Sequence, residues 1–130
     1  MPEVMIEDAM REKTVLLECK NIAQLPKVVD HFKENYTQHI FTSHLPGIPL
    51  RQLMVNLGKN TLPESEVRKV LFALLSIVKY LHDNSIKHCN INLESVVASR
   101  KDGRLHIKLD RFQNAIFVYV STTQNQADHA

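Results

Sequence analysis

Residues 63–83 constrain this chain more than any other stretch. Val67, Val70, Leu71, Leu74, Leu75, Val78 and Leu81 recur at three- and four-residue steps, which predicts a long amphipathic helix. Ala73 and Ile77 widen the apolar stripe, so the helix is expected to be buried on more than one side. Thr61-Leu62-Pro63-Glu64 has the outline of a capping box with Pro in the first turn, and Asp83-Asn84-Ser85 stops the helix. Such a helix needs other layers to cover it. With 130 residues the chain is expected to be one domain with a core of its own.

The other segments are shorter. Residues 3–18 read as a helix in which Met5, Ala9, Glu12 and Leu16 share a face. Two candidate strands cover about 26–31 and 38–43, with the turn-like Glu34-Asn35-Tyr36 between them. Pro46-Gly47 punctuates the chain, and a short helix is expected over 49–56, closing at Gly58. Val96-Val97-Ala98 and Leu105 to Leu109 read as a strand pair around Lys101-Asp102-Gly103, since Asp-Gly favours a tight hairpin. Ala115 to Val120 is a further β-prone run, and the polar tail 121–130 is expected to be disordered.

Composition narrows the function classes. Net charge is +2 with both signs interspersed, which gives no case for nucleic-acid or membrane attraction. No apolar run approaches the ~18 residues of a membrane span, and the early Glu3, Glu7 and Asp8 argue against a signal peptide. The expected location is the cytoplasm, with Cys19 and Cys89 as reduced thiols. Cys89 is expected to be a small core or semi-buried thiol with no base partner. The seven histidines show no metal-ligand spacing, so no metal and no other cofactor is expected.

One segment carries a frame without its usual chemistry. In Ile86-Lys87-His88-Cys89-Asn90-Ile91-Asn92-Leu93-Glu94-Ser95, the spacing is that of the kinase loop His-Arg-Asp-Leu-x-x-x-Asn, whose Asp is the base and whose Asn binds magnesium. His88 keeps its place, while Cys89 stands for Arg, Asn90 for Asp and Ser95 for Asn. Asn92 sits where many kinases carry Lys. A carboxamide accepts no proton near neutral pH. Other segments agree in order: Glu12-Lys13-Thr14-Val15-Leu16, Asn21 to Leu25, Ile40 to Gly47, Tyr80-Leu81-His82, and Ile107 to Ala115. Over about residues 5–116 the chain resembles the middle of a protein kinase domain.

The resemblance implies an α+β, partial protein-kinase-like fold: helix C, two or three antiparallel strands of the upper lobe, a hinge, helix D, a long helix E, a degraded catalytic loop and a β-hairpin. It divides the chain into a remnant of the upper lobe over 1–45, a remnant of the adjoining lower lobe over 46–120, and the tail 121–130. Glu12 falls where kinases pair a strand-3 Lys, and Thr42 at the gatekeeper position. Ser43, His44 and Leu45 fall where kinases hydrogen-bond adenine, although a plain connection is the preferred reading there. Arg111 replaces the magnesium-binding Asp, and Gln113 replaces the following Gly. Leu16, Leu25, His88 and Phe112 occupy the four-residue stack that joins kinase lobes. His88 is expected to be a packed, hydrogen-bonded core residue.

Kinase chemistry needs a Gly-rich loop, a Lys–Glu pair, metal ions and a positioned Asp. As the sequence stands, the first two lack counterparts and Asn90, Ser95 and Arg111 alter the rest. The expectation is therefore no enzyme, but a catalytically inactive pseudokinase-like protein serving as an interaction or structural subunit of a larger assembly. The alternative is a regulatory module that docks on an active kinase or other enzyme, with weak nucleotide binding. A protein partner, or a second copy of the chain, is expected on the apolar face of helix 63–83.

Overall fold

The structure, a computed structural model, describes residues 2–58 and 61–118, with side chains from residue 10 onward. Helix α1 spans Pro2–Glu18, and strands β1 (Val28–Glu34) and β2 (Thr37–Thr42) form an antiparallel hairpin. A short strand β3 (Ile48–Pro49) leads into helix α2 (Leu50–Asn56), and the long helix α3 covers Glu64–Asp83. Then follow β4 (Ile86–Lys87), β5 (Val96–Lys101), β6 (Arg104–Leu109) and β7 (Ile116–Phe117). Among the described residues three small antiparallel sheets result: β1-β2, β3-β5-β6 and β4-β7. Mixed α and β structure is as expected.

Both hairpins close on two residues with positive φ, the pattern that matches the right-handed twist of paired strands. In the first, Glu34 pairs with Thr37 around Asn35 (φ 48°) and Tyr36 (φ 66°). In the second, Lys101 pairs with Arg104 around Asp102 (φ 55°) and Gly103 (φ 75°). Gly47, at φ 124°, is a different case. A Cβ there would lie 2.5 Å from the carbonyl oxygen of Ala98, so only glycine lets this segment pass over β5.

Four expectations need correction. Thr61 does not cap α3: the N-cap is Pro63, with no side-chain hydrogen bond, and Glu64 and Glu66 of the first turn face the positive end of the helix instead. The run from Ala115 onward pairs only over Ile116–Phe117, with Tyr119 and Val120 outside the described residues, as is the tail 121–130. Its partner is Ile86–Lys87, which had read as loop. Helix α3 is buried on one side only: Val70, Ile77 and Leu81 are interior, while Leu71, Phe72 and Leu75 are 51%, 77% and 64% exposed.

One buried cluster unites the pieces. It takes Val15, Leu16 and Cys19 from α1, Leu25 from the following loop, Val70, Ile77 and Leu81 from α3, and Val96, Ala98, Ile107 and Leu109 from β5 and β6, with Phe112 and Ala115 beyond. It therefore draws on both sides of residue 45. Helix α3 packs on β6 because the alternation along β6 turns Ile107 and Leu109 inward. Helix α1 is tied to the far end of the chain by Arg11, whose Nε donates to the carbonyl of Ala115 at 3.1 Å. The amide of Leu109 donates to the carbonyl of Gln24 at 3.0 Å, and so fixes the loop after α1 against the end of β6.

Candidate functional site

The chain turns a corner between β4 and β5, and His88 is its centre. This ring is 2% exposed. The Asn90 amide donates to Nδ1 at 3.1 Å, so Nδ1 is an acceptor and Nε2 carries the hydrogen, donated to the carbonyl of Asp110 at 2.7 Å. Both nitrogens are thus satisfied in one neutral tautomer. Burial pushes the His88 pKa below its ordinary value, partly offset by the hydrogen bond to Asp110 and by that residue's charge. The ring meets Phe112 edge to face, with centroids 4.6 Å apart and an interplanar angle of 74°. Leu16 and Leu25 are buried in the same cluster as Phe112. The structure therefore brings these four side chains into one interior region.

Asn90 and Ser95 are joined through Asn92 by hydrogen bonds beside it. Asn90 Oδ1 accepts from Asn92 Nδ2 at 3.0 Å. Asn92 Oδ1 accepts from the amides of Glu94 (2.8 Å) and Ser95 (3.0 Å). In return, the Asn92 amide donates to Ser95 Oγ at 2.9 Å. This is the reciprocal pattern of a helix cap used to fold a turn. Ser95 is fully buried, and its carbonyl accepts from the Asp110 amide at 2.8 Å. Asn92 is thus the hub of the corner, a role that the Asn-x-x-Ser spacing could have announced. Cys89 corrects another expectation: it is exposed, at φ 66°, because the backbone swings outward to bring the Asn90 amide back onto His88.

A cleft of about 420 Å³ opens on the other side of β5. Thr42, Ser43, His44 and Leu45 form one wall, and Gly47, Pro49, Glu94, Val97, Asp110 and Arg111 the rest. Ser43 is held back by β1: its amide donates to the Lys27 carbonyl at 2.8 Å, and its Oγ accepts from the Lys27 amide at 3.0 Å. His44 and Leu45 make no hydrogen bond among the described residues. Glu94 is paired with Arg51 at 2.5 Å. Arg111 is exposed at φ 60° and makes no ion pair or hydrogen bond among the described residues. Glu12 of α1 is half-buried, and burial followed by the charge of Asp110 pushes its carboxyl pKa above the usual range. Of the altered catalytic-loop positions, Asn90, Asn92 and Ser95 stay out of the cleft lining, and Arg111 enters it.

A second concavity of about 390 Å³ runs between α2, α3 and the corner. Its lining is almost wholly apolar and includes Leu50, Met54, Leu62, Val67, Leu71, Leu74 and Ile91. It continues the outward face of α3. Among the described residues, no group of three metal-ligating side chains assembles, and no helix is long and apolar enough to cross a membrane.

No protein-family model matches the chain. It is similar to several serine/threonine kinases. It is 25% identical over 95 residues to serine/threonine-protein kinase B of Synechocystis sp., which covers 73% of this chain and 16% of that protein. Against serine/threonine-protein kinase C of the same organism it is 24% identical over 105 residues, covering 80% of this chain and 19% of that one. Against the probable serine/threonine-protein kinase KIN1 homolog of Enterocytozoon bieneusi it is 29% identical over 92 residues, covering 71% and 15%. The chain has a weak kinase-like relationship, and its mixed architecture is compatible with part of a kinase-like fold.

These matches overturn the expectation that the chain is no enzyme, because the proteins it resembles are named kinases. The reason is one of scope. Substitutions at Asn90, Ser95 and Arg111 say which groups those positions lack, whereas the chain spans less than a fifth of the length of these relatives. Three side chains in a stretch that matches so small a share of these relatives do not determine whether catalysis occurs.

Proposed function

We propose that this chain is part of a serine/threonine-kinase-like domain whose role is that of an interaction and structural subunit in a larger protein assembly. In this reading α1 corresponds to kinase helix C, β1 and β2 to strands 4 and 5, residues 42–45 to the hinge, α2 to helix D and α3 to helix E. The observation that carries the proposal is the outward face of α3, where Leu71, Phe72 and Leu75 stand exposed beside an apolar groove. Contiguous apolar surface of this kind marks interaction sites on soluble proteins. The occupant is a protein segment that covers this face, from another chain or from a second copy.

Light scattering on the purified chain and on a Leu71→Asp/Leu75→Asp variant tests self-association, and cross-linking in the native source tests a foreign partner. Cross-links on α3 that vanish in the variant support the reading. A monodisperse monomer with no cross-link to this face overturns it. Because the relatives are named kinases, a phosphotransfer assay on the full-length protein belongs in the same experiment.

The hinge-side cleft favours a second reading, a regulatory module that docks on another enzyme and senses a nucleotide. Its volume falls in the usual range of about 300–1,000 Å³ for small-molecule sites. Thermal melting with millimolar ATP is the test, and an unmoved midpoint rejects it.

A further inference from the structure

The cleft has the cation that a phosphate needs, and it is a side chain. Arg111 lines the cleft with its guanidinium uncommitted among the described residues. A residue at φ 60° is held by the backbone bend between β6 and Phe112, whose ring is locked against His88. The charge therefore belongs to a residue whose backbone is anchored at the edge of the cleft. The kinase-like fold implies magnesium here, and the residues do not fit it. Ser95 is fully buried and committed to Asn92, so it offers no oxygen to the cleft. Glu94 is neutralised by Arg51. Asp110 alone contributes an unpaired carboxylate to the lining, beside the fixed positive charge of Arg111. A divalent ion would meet one carboxylate and a repelling guanidinium, whereas such ions take several oxygen ligands. A guanidinium, in contrast, binds phosphate directly, often through two parallel hydrogen bonds.

We propose that the cleft binds a nucleoside polyphosphate without a divalent metal, Arg111 taking the phosphate charge and the open backbone groups of His44 and Leu45 facing the base. This rests on the second reading above, that the cleft senses a nucleotide.

Calorimetric titration of the chain with adenosine, ADP and ATP, each in EDTA and in magnesium, tests it. ADP and ATP should bind in EDTA at least as tightly as in magnesium, and ATP affinity should fall as salt rises. Arg111→Asn suits the positive φ and removes the charge. It should weaken ATP about tenfold to a hundredfold, the loss of one or two charge-assisted hydrogen bonds, and leave adenosine unchanged. Arg111→Lys should retain most of the affinity. Thermal melting of each variant without ligand confirms that it folds. Binding that requires magnesium, or ATP affinity unaltered in Arg111→Asn, overturns the inference. If adenosine binds and the phosphates add nothing, the inference fails and the nucleotide reading stands. If none of the three binds, both fall.

Discussion

The interior of the corner and the outward face of α3 are built from the same kinds of side chain and have opposite fates. Phe112 is 1% exposed and Phe72 is 77% exposed. Phe112 lies against His88 and between elements that arrive from α1, β5 and β6. Phe72 projects from the side of α3 opposite Val70 and Ile77, where no described element lies across it. Residue type therefore does not decide burial here. What decides it is whether the described chain supplies a second layer. The interior is finished by its own contacts, and the outer face is left uncovered among the described residues.

Phe112→Ala offers the strongest way to break this comparison. Removing a buried aromatic ring costs about 3–5 kcal/mol, through lost burial and the cavity left behind. Urea denaturation should show a loss of that size. A change under about 1 kcal/mol would mean that the corner is not a packed interior.

Asn92→Ala should have the next largest effect. It removes the acceptor for the Glu94 and Ser95 amides, and the partner of Asn90. Losing a capping side chain costs about 1–2 kcal/mol. The measurement is again denaturation, and the contrast sharpens if Asn90→Ala, which breaks only the Asn92 amide contact, costs less.

Much of this layout is legible in the residues, and the remainder fails for identifiable reasons. Local periodicity places α1 and α3, and Asp102-Gly103 places the second hairpin, because those signals act within a few residues. The two-residue strands β3, β4 and β7 leave no such mark, since each exists only through a partner: Pro49 against Val97, and Ile86 against Phe117. Thr61 reads as a cap from spacing, yet Pro63 fixes the approach of the chain and takes the N-cap itself. At the corner, the substitutions at Asn90 and Ser95 are visible in the sequence. That their polar groups turn toward Asn92 is not, because it depends on the exposed bend at Cys89. Glu66 is a similar case. Its spacing on α3 does not tell that its Oε2 is buried without a partner among the described residues while Arg100 approaches the other oxygen at 3.2 Å.

A pH titration of stability tests whether the interior is as finished as it looks. His88 is held neutral, with its folded-state pKa below the ordinary 6.5. The unfolded chain takes up this proton first as pH falls. Stability due to His88 is therefore complete above about 6.5 and is lost progressively below it, toward the folded-state value. Glu12 works in the opposite direction. Its raised pKa lets the folded state take the proton first, which relieves a cost as pH approaches 4.5 from above. Melting curves from about pH 8 to about pH 5.5 isolate the His88 range. The slope below 6.5 should disappear in His88→Gln. A wild-type stability that stays flat there would place His88 in contact with water.

Phe72→Ser should have the smallest effect on the isolated chain and the most discriminating one. A side chain this exposed gives up little on truncation, so folding stability should move by no more than about 0.5 kcal/mol. The same change removes the most prominent apolar group on α3, so any complex seated on that face should weaken. The two readouts separate where one alone would not. If Phe72→Ser destabilises the monomer nearly as much as Phe112→Ala, the chain's own residues cover α3 and the two faces are alike. If it alters neither stability nor association, Phe72 lies outside the contact, and the occupant sits in the groove lined by Val67, Leu71 and Leu74. Leu71→Asp then becomes the variant that must weaken association, because Leu71 belongs both to that groove and to the exposed face.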